Sequence, residues 1–224
     1  MLLITLVGFK PFYLGGEGMG GRQIVSQLFL LVLVHGGLMT GWVVLFLAQA
    51  LLITTRNHRL HMKLGWGSIA VALVVTITGF MVAVQSVRLS PDIPFWGMAY
   101  REFMLIMLAE VAVFAVFVLA GVLFRKRPRK HRAMILLATL SILAGATVRM
   151  PILFPLFGEA GWLGIFGPIF TLGAAFLLLR TLLTKSFDRW LVGGYAAMVF
   201  VYVAASMFAV SDTWSHLAKA IFNI

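Results

Sequence analysis

Six long apolar runs alternate with short polar or basic connections along this chain: residues 23–55, 65–87, 98–124, 133–150, 162–184 and 190–210, the last reaching toward His216. Each approaches or exceeds the ~20 residues that a helix needs to cross a bilayer's hydrocarbon core. The pattern predicts an all-α fold, a polytopic transmembrane helical bundle with six spans built as three helical hairpins. Residues 23–55 overshoot the required length, so this helix is expected to tilt or to project from the bilayer. Pro151 and Pro155 end or bend the fourth helix, because proline lacks an amide hydrogen and its ring clashes with the preceding turn.

The opening stretch MLLITLVGF is apolar but too short to span, and it lacks a basic n-region and a small-residue cleavage pattern. It is expected to form an interfacial stub, with a truncated earlier helix as the competing reading. Lys10-Pro11 and the segment GGEGMGG then break the pattern and predict a surface loop. The expected organisation is a stub and outer loop over residues 1–22, a six-helix transmembrane domain over 23–216 and a C-terminal tail over 217–224.

Composition strengthens the membrane reading. Hydrophobic residues make up 62% and charged residues 11% of the chain, with a mean hydropathy of +1.03, far more apolar than a soluble domain. The net charge of +11 does not point to nucleic acid, because the lysines and arginines sit in short loops between apolar runs. Twelve of the eighteen cluster after helices one, three and five: Arg56, Arg59 and Lys63; then Arg125, Lys126, Arg127, Arg129, Lys130 and Arg132; then Arg180, Lys185 and Arg189. The positive-inside rule assigns these loops to the cytoplasm, which puts both termini outside a bacterial inner membrane. Glu17, Asp92, Glu102, Glu159 and Asp212 fall on the opposite side. Membrane lipids, and possible partner subunits in the membrane, are the expected partners. Cysteine is absent, which excludes disulfides, thiolate-held metals and cysteine nucleophiles within this chain.

A short motif precedes each even-numbered helix: His61-Met-Lys-Leu64, His131-Arg-Ala-Met134 and Asp188-Arg-Trp-Leu191. A polar side chain there can meet the unpaired amides of a first helical turn, and Asp188 is the favoured cap type.

Polar residues inside apolar runs carry the functional signal, because hydrocarbon penalises them unless a partner or water is supplied. His35, Gln49, Gln85, Glu110 and Arg149 are of this kind. His35 lies about 31 Å of helix from Arg56 at ~1.5 Å per residue, near the outer boundary, where an outer cluster of His35, Arg101, Glu102, Arg149, Asp212 and His216 is conceivable. Glu110 falls near mid-span and is expected to be neutral or paired, with Arg149 and His35 as partners only if packing brings them deeper. Haem b needs two imidazoles at one depth, which His35 with His216, or His61 with His131, would supply. No HxxxH spacing backs either pair, and no Glu-x-x-His spacing backs a metal site. Gly173, Ala174, Gly193, Gly194 and Ala197 let helices approach closely. Of the tryptophans, Trp42 alone is expected deep in a span. No nucleotide, GxSxG or nucleophile–base motif is present, so no catalytic residue is assigned and enzymatic activity stays open.

The order His35-Gly-Gly-Leu-Met-Thr-Gly-Trp42, Gln49-Ala-Leu-Leu and His61-Met-Lys-Leu-Gly65 resembles a family of uncharacterised bacterial multi-pass membrane proteins with a pattern close to HxxLMxxWxxxxxxQxxLL…LHRxLG. His131-Arg-Ala-Met134 and Arg149-Met-Pro151 resemble that family's second region. The likeness spans roughly helices one to four, and Asp188 stands where the family pattern would lead one to expect histidine. It implies His35, Trp42, Gln49, His61, His131 and Arg149 as candidate residues without implying a chemistry. Three functional readings follow, in order of how few unproved sites they need: a non-catalytic accessory protein or complex subunit; a membrane redox protein holding haem b or quinone through His35, His61, His131 or His216; and a small-molecule or proton transporter using Glu110.

Overall fold

The computed structural model describes residues 1–17, 24–89, 91, 93–95, 97–158 and 161–223. Two short helices, α1 (Leu2–Gly8) and α2 (Lys10–Gly15), precede the long α3 (Ser26–Thr54) and α4 (His58–Leu89). A two-residue hairpin, β1 (Pro94–Phe95) against β2 (Met98–Ala99), leads into α5 (Tyr100–Leu123). Then come α6 (Pro128–Ser141), α7 (Ala144–Thr147), a 3₁₀ turn at Pro151–Leu153 and α8 (Phe154–Phe157). The chain closes with α9 (Gly161–Thr184), α10 (Arg189–Ala209) and α11 (Asp212–Phe222).

Among the described residues, α3, α4, α5, α9 and α10 are each long and apolar enough to cross a membrane. A sixth crossing is made if α6–α7 and the segment Pro151–Phe157, bent against it by 95°, count as one span. The chain is therefore a multi-pass helical membrane protein. Three tight hairpins, α3/α4, α5/α6 and α9/α10, turn at the basic loops. The α5/α6 pair sits between the others, since α5 packs on both α4 and α10. The core runs along this seam through Trp42, Phe114, Leu137, Met198 and Tyr202. Large apolar side chains such as Leu73, Val116, Leu182 and Phe200 stay exposed on the spanning helices, the surface that hydrocarbon would cover.

Helix ends show where local chemistry decides. Asp188 caps α10 through Oδ1, which accepts from the Trp190 and Leu191 amides, while Arg180 holds Oδ2 at 3.1 Å. The two histidines expected as caps do other things. Asn57 caps α4, accepting from the Leu60 amide, so the helix begins before His61 and carries it on its second turn. Proline opens α6 at its first position, where a missing amide hydrogen is no loss, and His131 instead donates from Nδ1 to the Gly121 carbonyl across the α5/α6 hairpin.

The expected stub is part of the bundle. Helix α1 packs on α7 and α3, and a Cβ at Gly8 would overlap the Ala146 backbone; only glycine permits that approach. Tyr13 donates to the Gly36 carbonyl and shares a 2.6 Å hydrogen bond with Thr40, tying α2 to α3. The expected GGEGMGG loop falls mostly on residues 18–23, and Asp92, Trp96 and Glu159 likewise lie outside the described residues. At the far end, α11 runs unbroken through His216, so the boundary expected there cuts a helix. Trp214 and Ala218 bury against Val84, Val87 and Met104, and the Trp214 indole donates to the Arg101 carbonyl. Both α1 and α11 therefore lie at the end opposite the basic loops.

Candidate functional site

The site follows from the break in the fourth span. Pro151 pushes Met150 into extended backbone (φ −104°, ψ 98°), as the residue before proline prefers. The helix stops at Thr147, and Arg149 folds back so that Nη1 donates to the Gly145 carbonyl, which the terminated helix leaves unpaired. Its guanidinium also lies 4.6 Å from the Phe9 ring centroid, just beyond α1. Arg149 is thereby anchored at its edge and turned into the bundle.

There it meets a cavity of about 170 Å³ whose lining includes His35, Glu110 and Arg149, each from a different spanning segment. Glu17 and Thr76 add polar groups, while Phe9, Phe12, Phe103, Phe114, Met39 and Met107 supply apolar walls. Arg149 is within electrostatic range of both Glu110 and His35. The grouping of Glu110 with Arg149 and His35 is thus the arrangement that the sequence allowed only under deep packing.

His35 is held by its neighbours. Thr78 directs its hydroxyl hydrogen to the Val74 carbonyl at 2.8 Å, so His35 Nδ1–H donates to Thr78 Oγ1 at 2.9 Å. Gly79 makes the seat, since a Cβ there would lie 3.1 Å from His35 Cε1.

Trp42 packs behind the cavity wall, against the lining residue Phe114, one step toward the basic end. It is 4% exposed, meets Phe114 edge-on at 5.1 Å and donates through Nε1 to Thr139 Oγ1 at 3.2 Å. Beyond it lies a second polar group. Gln49 Nε2 donates to Ser68 Oγ at 3.4 Å. The ring of His61 sits beside the Gln49 backbone and 6.4 Å, centroid to centroid, from the ring of His131.

The remaining expected residues separate. His216 and Asp212 are exposed on α11 and do not line the cavity, so His35 and His216 do not form a pair there. Glu102 accepts from the Ala99 amide as a helix-start residue, and Arg101 presents its carbonyl to Trp214. The outer cluster thus reduces to His35 and Arg149, with Glu110 joining them. The sequence missed Phe9, Phe12 and Thr139, which only long-range packing brings to the site. No group of three or more His, Asp or Glu side chains able to hold a metal occurs among the described residues. No family model, curated protein or solved structure matches this chain.

Proposed function

We propose that this protein is a membrane transporter that carries a small polar solute through the bundle and exchanges a proton with it at Glu110. The observation that carries the reading is the convergence of His35, Glu110 and Arg149 on one cavity. An ionisable residue inside a spanning segment marks a ligand or proton path more often than a structural contact, and here an acid, a base and an imidazole share one space. The apolar walls around them limit water, which strengthens every charge interaction inside.

Size narrows the solute. A cavity of about 170 Å³ compares with the ~150 Å³ that accommodates benzene, so the cargo has on the order of six to ten non-hydrogen atoms. Arg149 offers a planar guanidinium suited to a carboxylate or another planar acceptor. Glu110 beside it is the group whose charge must change when an anion enters, because two like charges in one dry site repel. With the basic loops in the cytoplasm of a bacterial inner membrane, the cavity occupies the outer half of the protein.

The test is solute-driven proton movement in proteoliposomes loaded with a pH-sensitive dye, using acetate, lactate, glycine and methylammonium as probes. The parent moves protons with at least one probe, and Glu110→Gln abolishes the response while the protein remains folded. A parent that is inert to all four while purifying with other membrane subunits would favour the accessory reading.

The haem or quinone reading keeps one specific support, the adjacency of His61 and His131. A Soret band removed by His131→Ala would decide for it; a colourless protein decides against haem.

A further inference from the structure

Positions 35, 42 and 49 of α3 are spaced by sevens, so His35, Trp42 and Gln49 follow one stripe of the helix, with about 10 Å between successive members at 1.5 Å per residue. Each faces a layer of different character. His35 shares the cavity with Glu110 and Arg149. Trp42 is sealed by Phe114 and Thr139. Gln49 belongs with Ser68, His61 and His131. Helix α5 repeats the order, with Glu110 at the cavity, Phe114 on Trp42, and the Gly121 carbonyl holding His131.

The third layer holds two polar atoms that packing does not account for. Gln49 Oε1 and His61 Nδ1 are both buried without a hydrogen-bond partner. Buried polar atoms are paired in the great majority of cases, and an exception calls for an explanation. Ser68 cannot satisfy Gln49 Oε1, because its hydroxyl hydrogen goes to the Leu64 carbonyl. His131 shows the complementary preparation: Nδ1 is fixed on the Gly121 carbonyl, which leaves Nε2 as the ring's proton-accepting atom.

We propose that Gln49, His61 and His131 form the basic-end half of a proton path whose other half is the His35–Glu110–Arg149 cavity, with Trp42 as the barrier between them. This rests on the transporter reading of the cavity and adds the route by which its proton leaves. A proton released from the Glu110 carboxyl passes the barrier when Trp42 shifts away from Phe114 and Thr139. It then binds His61 at Nδ1, and the imidazolium passes its Nε2 proton to Nε2 of His131, whose ring lies 6.4 Å away, centroid to centroid. His58 and His131 are the titratable groups that flank His61, while Glu17, His35 and Arg149 share the cavity lining with Glu110 and Tyr202 lies within electrostatic range of it. With Trp42 seated, the two halves do not communicate, which is what couples proton movement to solute.

The experiment uses the full chain in proteoliposomes containing a pH-sensitive dye, with proton influx driven by a valinomycin-imposed potassium potential and no solute. The parent is tight. Trp42→Ala gains a proton leak, and adding His61→Leu or Gln49→Leu to it loses that leak. A folded Trp42→Ala protein that stays tight overturns the barrier, and a leak indifferent to His61 and Gln49 overturns the path. In both cases the cavity reading survives if Glu110→Gln still abolishes solute-driven proton movement in the parent background. A Trp42→Ala leak that persists with Glu110→Gln overturns the path, and the cavity reading falls with it if Glu110→Gln also leaves solute-driven proton movement intact in the parent background. If Trp42→Ala fails to fold, Gln49→Leu alone decides: losing solute-driven proton movement supports the path, and retaining it overturns the path.

Discussion

The indole of Trp42 donates to the hydroxyl of Thr139 at 3.2 Å, joining two spanning segments through side chains 97 residues apart. Thr139 is fully buried and passes its own hydrogen to the Ile135 carbonyl, so the pair is satisfied in a setting that offers no water. Replacing Thr139 by valine keeps the shape and strands the indole N–H. The expected loss is about 1–2 kcal/mol, against about 3–5 kcal/mol for the cavity left by Trp42→Ala. Thermal unfolding in mild detergent should rank the variants in that order.

Gly8 touches the Ala146 backbone, and that contact fixes the N-terminal helices over the cavity. Gly8→Leu should lift α1 from α7 without disturbing the long helices. Since the chain has no cysteine, a single Met39→Cys substitution reports on access to the cavity lining. Labelling of that thiol by a polar maleimide should quicken in the Gly8→Leu background; an unchanged rate would mean that α1 does not control access.

Asp188 combines a helix cap with an ion pair to Arg180, and the two parts separate by substitution. Asn retains the cap and loses the charge, which at this partly exposed pair is worth under about 1 kcal/mol. Ala loses both and should cost roughly 1–2 kcal/mol. Unfolding of Asp188→Asn close to the parent, with Asp188→Ala clearly lower, is the expected result.

The hydrophobic runs placed the spanning segments to within a few residues at most ends, because hydrocarbon imposes one rule on every lipid-facing position. The Asp188 cap was equally legible, since its chemistry lies within three residues. His61 and His131 were misplaced as caps because a nearby Asn57 and Pro128 serve better. The cavity was legible only as separate polar residues. Its assembly depends on the bend at Pro151 that turns Arg149 inward and on the seat that Gly79 makes for His35, and neither leaves a periodic trace. The role of α1 was hidden for a similar reason: an apolar segment reads the same whether it meets lipid or helix.

The positive-inside rule predicts that the basic loops face the cytoplasm. A cysteine at Thr213 should react with a membrane-impermeant maleimide in intact cells, and one at Lys126 only after permeabilisation. The reverse pattern would turn the cavity toward the cytoplasm and invert the direction of transport.

The most direct measurement is covalent labelling of Glu110 in the purified protein by dicyclohexylcarbodiimide, read by peptide mass spectrometry, because this apolar reagent reacts with a protonated carboxyl it can reach inside a membrane protein. Glu110 should be modified ahead of the exposed Asp212, and the modification should block solute-driven proton movement. A Glu110 that stays unmodified while transport is lost by reaction elsewhere would contradict its role as the proton-exchanging group of the cavity.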